Sequence, residues 1–182
     1  MKRMIYVLVI LLLSFTIYSC AKKSDSSSSS STTELEGTWK TACYTDSDNY
    51  SFYKTPTFAG NVLTITDEKH SDTSCATDYS LSEDSHTFSM GDAGKFSITA
   101  GTTKRTPQSS AAVTAYNSAN KCSANDWELN TVKDCTEADG DQGDNYYCFY
   151  QLSGTTLYVD CDGDEQPTSV DTSKASNTFT KQ

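Results

Sequence analysis

Residues 148–161 constrain the fold of this chain more than any other segment, because they carry the pattern of a closed β-hairpin. Apolar and polar residues alternate on both sides of Gly154, which suits the first position of a two-residue type II′ loop. A turn there sets Cys148 directly opposite Cys161, within reach of a disulfide. Closing this loop is expected to stabilise the protein by about 3 kcal/mol. The same register pairs Tyr150 with Val159 and Leu152 with Leu157.

Four more cysteines precede the hairpin, which gives an even set of six after residue 34. In an exported domain this number favours three disulfides over free thiols. Proximity along the chain predicts the pairs Cys43–Cys75 and Cys122–Cys135. No two of the six cysteines have the close spacing of zinc ribbons or thiol oxidoreductases. We therefore expect no metal site and no redox chemistry at these thiols.

The N-terminus has the organisation of a secretion leader. Two basic residues precede an apolar run at residues 4–13, which is shorter than the roughly 20 apolar residues of a transmembrane helix. Ser19-Cys20 then resembles the lipobox of bacterial lipoprotein signals. The resemblance implies a signal peptide at residues 1–19, a lipidated Cys20, and a protein exported to the bacterial cell envelope, with the outer membrane as the expected membrane. An ordinary signal peptide or membrane anchor is the alternative, and it also implies export.

Residues 20–33 are predicted to form a tether between the lipid anchor and a folded domain. The tract contains six consecutive serines at residues 26–31. Because it has no apolar groups to bury, it is expected to stay flexible and to hold the domain away from the membrane. The remaining residues, 34–182, are enough for one domain with one core.

The charge balance excludes one class of partner. The chain has 14 Lys plus Arg against 24 Asp plus Glu, and removing Lys2 and Arg3 with the leader leaves 12 against 24, a net charge of −12. A surface of this sign repels phosphate backbones, so nucleic acid is not an expected partner.

Two acidic loops, at residues 139–145 and 160–165, place carboxylates at alternate positions, as calcium-binding loops do. Neither loop completes the EF-hand pattern. Solvated loops are the simpler interpretation, and weak calcium binding is the alternative. No other metal and no cofactor is implied.

Short β-favouring segments dominate the domain. We expect strands at residues 39–44, 50–58, 62–69 and 77–82, further short segments around Phe88 and Phe96, and a last strand at 177–181. Several of these segments alternate apolar with polar residues, which indicates one buried face and one solvated face.

The strand pattern is interrupted once. Residues 106–119 are predicted to form a helix with Thr106 as its N-cap and Pro107 at its first position, and residues 127–134 to begin a second set of strands. The count, about eight or nine strands with one short α-helix, predicts an all-β domain that is either a closed barrel or a β-sandwich.

Gly37-Thr38-Trp39 resembles the glycine-x-tryptophan signature at the first strand of lipocalins and lipocalin-like bacterial lipoproteins. The resemblance implies an antiparallel up-and-down barrel of about eight strands across residues 34–182, with the β-sandwich as the alternative. It also implies that Trp39 plugs the closed end and that the open end admits a small apolar molecule.

Catalytic motifs are missing from the sequence, and we predict that the protein is not an enzyme. His70 and His86, the two histidines, are expected to be exposed strand or loop residues. One hypothesis is that a barrel holds a small hydrophobic ligand; the alternative is a surface interaction or structural lipoprotein with a packed barrel. The first hypothesis places seven residues at the ligand: Tyr53, Phe58, Leu63, Ile65, Phe88, Phe96 and Ile98.

Overall fold

A computed structural model describes residues 33–182, so Cys20 and nearly all of the predicted tether lie outside the described residues. The strands are β1 (Gly37–Thr41), β2 (Tyr44–Thr45), β3 (Ser51–Ala59), β4 (Val62–His70), β5 (Asp78–Met90), β6 (Lys95–Pro107), β7 (Lys133–Asp134), β8 (Asn145–Ser153), β9 (Thr156–Asp162) and β10 (Thr178–Lys181). The α-helices are α1 (Ser110–Ser118) and a single turn, α2 (Thr136–Asp139). Short 3-10 turns occupy Lys121–Ser123 and Ala175–Asn177.

Eight strands close into an antiparallel barrel, which confirms the fold predicted from the sequence. Their order is β1-β10-β9-β8-β6-β5-β4-β3, and pairing of β1 with β3 completes the ring. Neighbours in the ring are successive barrel strands along the chain, which is the up-and-down arrangement rather than a sandwich. The two shortest strands lie outside the ring, with β2 on β3 and β7 on β6.

The β8–β9 hairpin has the predicted register. Cys148 pairs with Cys161 across the two strands, with a Cα–Cα distance of 4.1 Å. Gly154 has a φ of 61°, and the residue after it is not in the positive-φ region, as a type II′ loop requires. The other two disulfides also join the predicted partners, Cys43 with Cys75 and Cys122 with Cys135.

An apolar cluster fills one end of the barrel, which we call the closed end. Trp39 points inward from β1 and is 1% exposed, and Leu35, which is fully buried, covers it from the chain entering the barrel. The indole Nε1 donates a hydrogen bond to the Leu35 carbonyl oxygen at 2.8 Å. The Lys181 ammonium from β10 lies 5.1 Å from the centroid of the Trp39 ring. In the same apolar cluster, the rings of Phe58, Phe88 and Phe96 pack edge to face against one another.

Two strands are longer than the sequence predicted. The segments expected at residues 77–82 and around Phe88 are parts of one strand, β5, which has 13 residues, and β6 has 13 as well. Their pairing shifts between Ser85 and Thr87, where a bulge interrupts the ladder. Pairing with the strands on either side therefore holds the polar residues of β5 and β6 in strand conformation, although their sequence pattern favours a strand only weakly.

The predicted start of the helix was wrong. Thr106 and Pro107 end strand β6 and pair with β5, and the helix begins after Ser109. The Ser109 hydroxyl accepts a hydrogen bond from the Ala112 backbone N–H at 3.1 Å, which makes Ser109 the N-cap. Proline is compatible with the end of a strand as well as with the first turn of a helix, so Pro107 alone did not distinguish them.

The strand predicted at residues 127–134 was also largely wrong, because only the two residues of β7 are paired. Trp127 is buried outside the barrel, with its ring 5.0 Å from the Tyr116 ring of α1. The Asn117 side chain accepts from the Trp127 N–H at 2.7 Å and donates to the Trp127 carbonyl oxygen at 3.1 Å. A side-chain amide thus satisfies the backbone groups that a strand partner would otherwise occupy.

Candidate functional site

A cavity of about 430 Å³ lies inside the barrel, next to the apolar cluster of the closed end. Its wall includes Phe58, Leu63 and Phe96 of that cluster. At the other side it includes Asp141 and Gln142, which are exposed residues of the loop between α2 and β8. The cavity therefore extends from the buried core to solvent.

Five of the seven residues predicted at the ligand lie in the cavity wall. They belong to three strands and form an apolar surface that we call the floor: Phe58 on β3, Leu63 and Ile65 on β4, and Phe96 and Ile98 on β6. Strand alternation brings them together, since each pair on one strand is two residues apart.

The other two predicted residues, Tyr53 and Phe88, are not part of the wall. Tyr53 alternates with the wall residue Lys54 and points the opposite way, out of the barrel, where the Lys40 ammonium lies 4.2 Å from its ring centroid. Phe88 is buried beneath the wall, with its ring 5.2 Å from the Phe58 ring. One side chain is outside the barrel and the other belongs to the packed core.

A group of charged side chains faces the interior next to the floor. We call this group the charged belt: Lys54 on β3, Asp67 on β4, Asp84 on β5, Arg105 on β6 and Asp139 on α2. Arg105 joins two carboxylates, at 3.2 Å to Asp84 and 3.0 Å to Asp139. Outside the belt, the Lys121 ammonium lies 3.2 Å from the other oxygen of Asp139.

Asp67 is the least satisfied member of the belt. It pairs with Lys54 across β3 and β4, but the Lys54 Nζ is 4.0 Å from its Oδ1, and that oxygen has no hydrogen-bond partner among the described residues. Burial raises the pKa of Asp67, Asp84 raises it further, and the cations Lys54 and Arg105 oppose the shift. The belt thus holds a carboxylate with an unused acceptor.

His86 contributes a neutral polar group to the wall. Its Nδ1 accepts a hydrogen bond from the Gly101 N–H at 3.3 Å, at the bulge between β5 and β6. Burial lowers the pKa of His86 below 6.5, against the opposing charge of Asp84. The imidazole is therefore uncharged at neutral pH and carries its proton on Nε2.

The charged belt was not among the sites predicted from the sequence. A signal for it was present in β3, where Lys54, Pro56 and Phe58 follow each other at intervals of two. This phase places a charged side chain on the same face as core residues. A charge in phase with the core is unusual, because charged groups are rarely buried without a partner.

The two acidic loops serve the fold differently. In the first loop, Asp139 belongs to the charged belt and contacts both Arg105 and Lys121. In the second loop, the Asp162 carboxylate accepts a hydrogen bond from the Asp164 N–H at 2.8 Å. Within residues 33–182 there is no group of three His, Cys, Asp or Glu side chains arranged to hold a metal ion. Weak calcium binding stays a prediction.

No known protein family matches this chain, and neither does any protein in a search of curated sequences. Among residues 33–182, no helix combines the length and the apolar character needed to cross a bilayer. The three disulfides are compatible with an exported protein.

Proposed function

We propose that this protein is a lipid-anchored lipoprotein of the bacterial envelope that binds a small hydrophobic ligand inside its barrel. The cavity is the observation that carries the ligand part of the proposal. Its volume of about 430 Å³ falls in the range of roughly 300–1,000 Å³ that is typical of small-molecule sites. Its apolar floor lies at the buried side and its polar groups lie toward solvent, which is how such sites divide their walls.

The alternative function, a surface interaction or structural lipoprotein, assumes a barrel interior filled by its own side chains. The cavity gives no support to that assumption. Ile65 lies in the cavity wall and is only partly buried, so its side chain has free space in front of it. The ligand proposal uses this space, and the alternative leaves it unexplained.

Filling the cavity is expected to weaken ligand binding. Ile65→Trp projects an indole ring from the floor into the space that a ligand needs, and we expect the affinity for the neutral apolar probe N-phenyl-naphthylamine to fall by about tenfold or more, which corresponds to about 1.4 kcal/mol. Decanol should displace the bound probe from the same site, and the loss of probe fluorescence measures this displacement. Thr64→Trp is the matched control, because its side chain lies on the outer face of the same strand.

The control variant should bind the probe as the parent protein does. Circular dichroism and the thermal midpoint of each variant establish that both are folded. Equal affinities for the Ile65 and Thr64 variants, or no binding of probe or decanol to the parent protein, would contradict the ligand proposal.

The anchoring part of the proposal rests on Ser19-Cys20 and the preceding leader. We expect the full chain, expressed in a bacterium, to incorporate labelled fatty acid and to sediment with membranes. Cys20→Ala should remove the label and release the protein to the soluble fraction, because the acyl chains supply most of the membrane affinity. Equal labelling of both proteins would contradict lipidation at Cys20.

A further inference from the structure

The charges that face the cavity are unequal in number. Among the wall residues, Asp84, Asp139 and Asp160 are carboxylates and Lys54 and Arg105 are cations. Asp141 adds a fourth carboxylate where the wall reaches solvent, and it forms no ion pair within residues 33–182. The polar side of the cavity is therefore predominantly acidic.

The two cations of the belt are already engaged by protein carboxylates. Arg105 contacts Asp84 and Asp139 at 3.2 and 3.0 Å, and Lys54 faces Asp67. An incoming anion would have to displace one of these carboxylates and would meet repulsion from the others. An anionic head group is thus poorly matched to this wall.

An incoming cation meets the opposite situation. The wall carboxylates Asp141 and Asp160 form no ion pair in the described part of the chain, and Asp141 is exposed while Asp160 is half-buried. Tyr146 is another wall residue, and burial together with the negative charges of Asp141 and Asp144 raises its pKa. Positive charge is favoured at the acidic side while an apolar tail lies against the floor.

We infer that the cavity takes an amphiphile with a positively charged head group, such as a long-chain amine, with its tail on the floor and its head at the charged belt. The inference rests on the proposed ligand function and names its ligand class. A small apolar ligand has no charged group that could interact with the charged belt, whereas a cationic head group has one.

Three probes of equal chain length test the head group: decylamine, decanol and decanoate. At pH 7 the first is a cation, the second neutral and the third an anion. We expect decylamine to bind about tenfold more tightly than decanoate, with decanol between them, in displacement of N-phenyl-naphthylamine below the micellar range of each probe. The preference should shrink at high salt, because screening weakens interactions at the exposed side.

Asp141→Lys supplies the matched variant, because this side chain is exposed and its reversal should not disturb the core. We expect it to weaken decylamine binding severalfold and to change decanol binding much less, because the alcohol carries no charge. Asp92→Lys is the charge-matched control, since its side chain is exposed in the turn between β5 and β6 and is not part of the cavity wall.

The outcomes separate the two proposals. Tightest binding of decylamine, reduced by Asp141→Lys, supports the inference. Binding of decanol with no preference for the amine, or with a preference for decanoate, overturns the cationic head group and leaves the ligand function standing. Binding of none of the three probes overturns both.

Discussion

Trp39→Ala is expected to lower the free energy of unfolding by about 4 kcal/mol, in the range measured for truncation of buried tryptophans. The side chain is 1% exposed and lies in the centre of the apolar cluster at the closed end. Its removal leaves a void lined by residues of several strands, and it leaves the Leu35 carbonyl without the indole donor at 2.8 Å. Chemical denaturation of the oxidised protein measures the loss.

Trp39→Phe separates packing from hydrogen bonding. Phenylalanine keeps most of the apolar contact but has no N–H group, so we expect a smaller loss of about 1–2 kcal/mol. A loss below about 1 kcal/mol for the alanine variant would mean that Trp39 does not hold the closed end together, since buried large side chains cost more than this. The interpretation of Gly37-x-Trp39 as the barrel plug would then be wrong.

Gly101→Ala is expected to destabilise the barrel by about 3 kcal/mol or more, because it places new atoms inside a packed strand pair. A Cβ at this position would lie 2.2 Å from the Ser85 carbonyl oxygen, whereas ordinary contacts begin at 3.4 Å. The obstacle is backbone, so β5 and β6 must separate by roughly 1 Å and the bulge at His86 must rearrange. The change should therefore also alter the cavity wall.

Gly91→Ala is the control for a general effect of losing glycine. Its added Cβ has no neighbour closer than 3.6 Å, and its backbone is not in the positive-φ region. We expect a change within about 0.5 kcal/mol, as for most surface substitutions. If Gly101→Ala were as mild as Gly91→Ala, the close approach of β5 and β6 at the bulge would be incorrect.

The hairpin at residues 148–161 was predictable because its determinants are local. A glycine in the loop, the alternation on both sides and two cysteines at equal distance from the turn fix one register. The number of such segments left a barrel and a sandwich open, and the resemblance at Gly37-x-Trp39 favoured the barrel. The hairpin register predicted the Cys148–Cys161 disulfide, and proximity along the chain predicted the other two.

The ends of β5 and β6 were less predictable because long-range pairing decides them. Residues such as Ser85 and Thr102 have no core pattern of their own, yet they pair across the two strands. Pro107 is similar, since either a strand end or a helix start accommodates it, and the neighbouring strand selects the first.

The charged belt was missed for a different reason. Strand alternation predicts apolar side chains on the core face and charged side chains on the solvated face. Lys54 and Asp67 depart from that rule, and only their pairing across β3 and β4 shows that they face each other inside the barrel. Arg105 and Asp139 are 34 residues apart, and no local pattern joins them.

The central claim is that a small molecule binds inside the barrel, and methyl NMR of the purified full chain tests it most directly. On titration with decylamine, we predict chemical-shift changes and ligand contacts at the methyl groups of Ile65, Ile98 and Val159, which line the cavity. The methyl groups of Leu129 and Val132, which are exposed outside the barrel, should not change. Changes confined to Leu129 and Val132, or no changes at the cavity methyl groups with decylamine or decanol at saturation, would contradict the account.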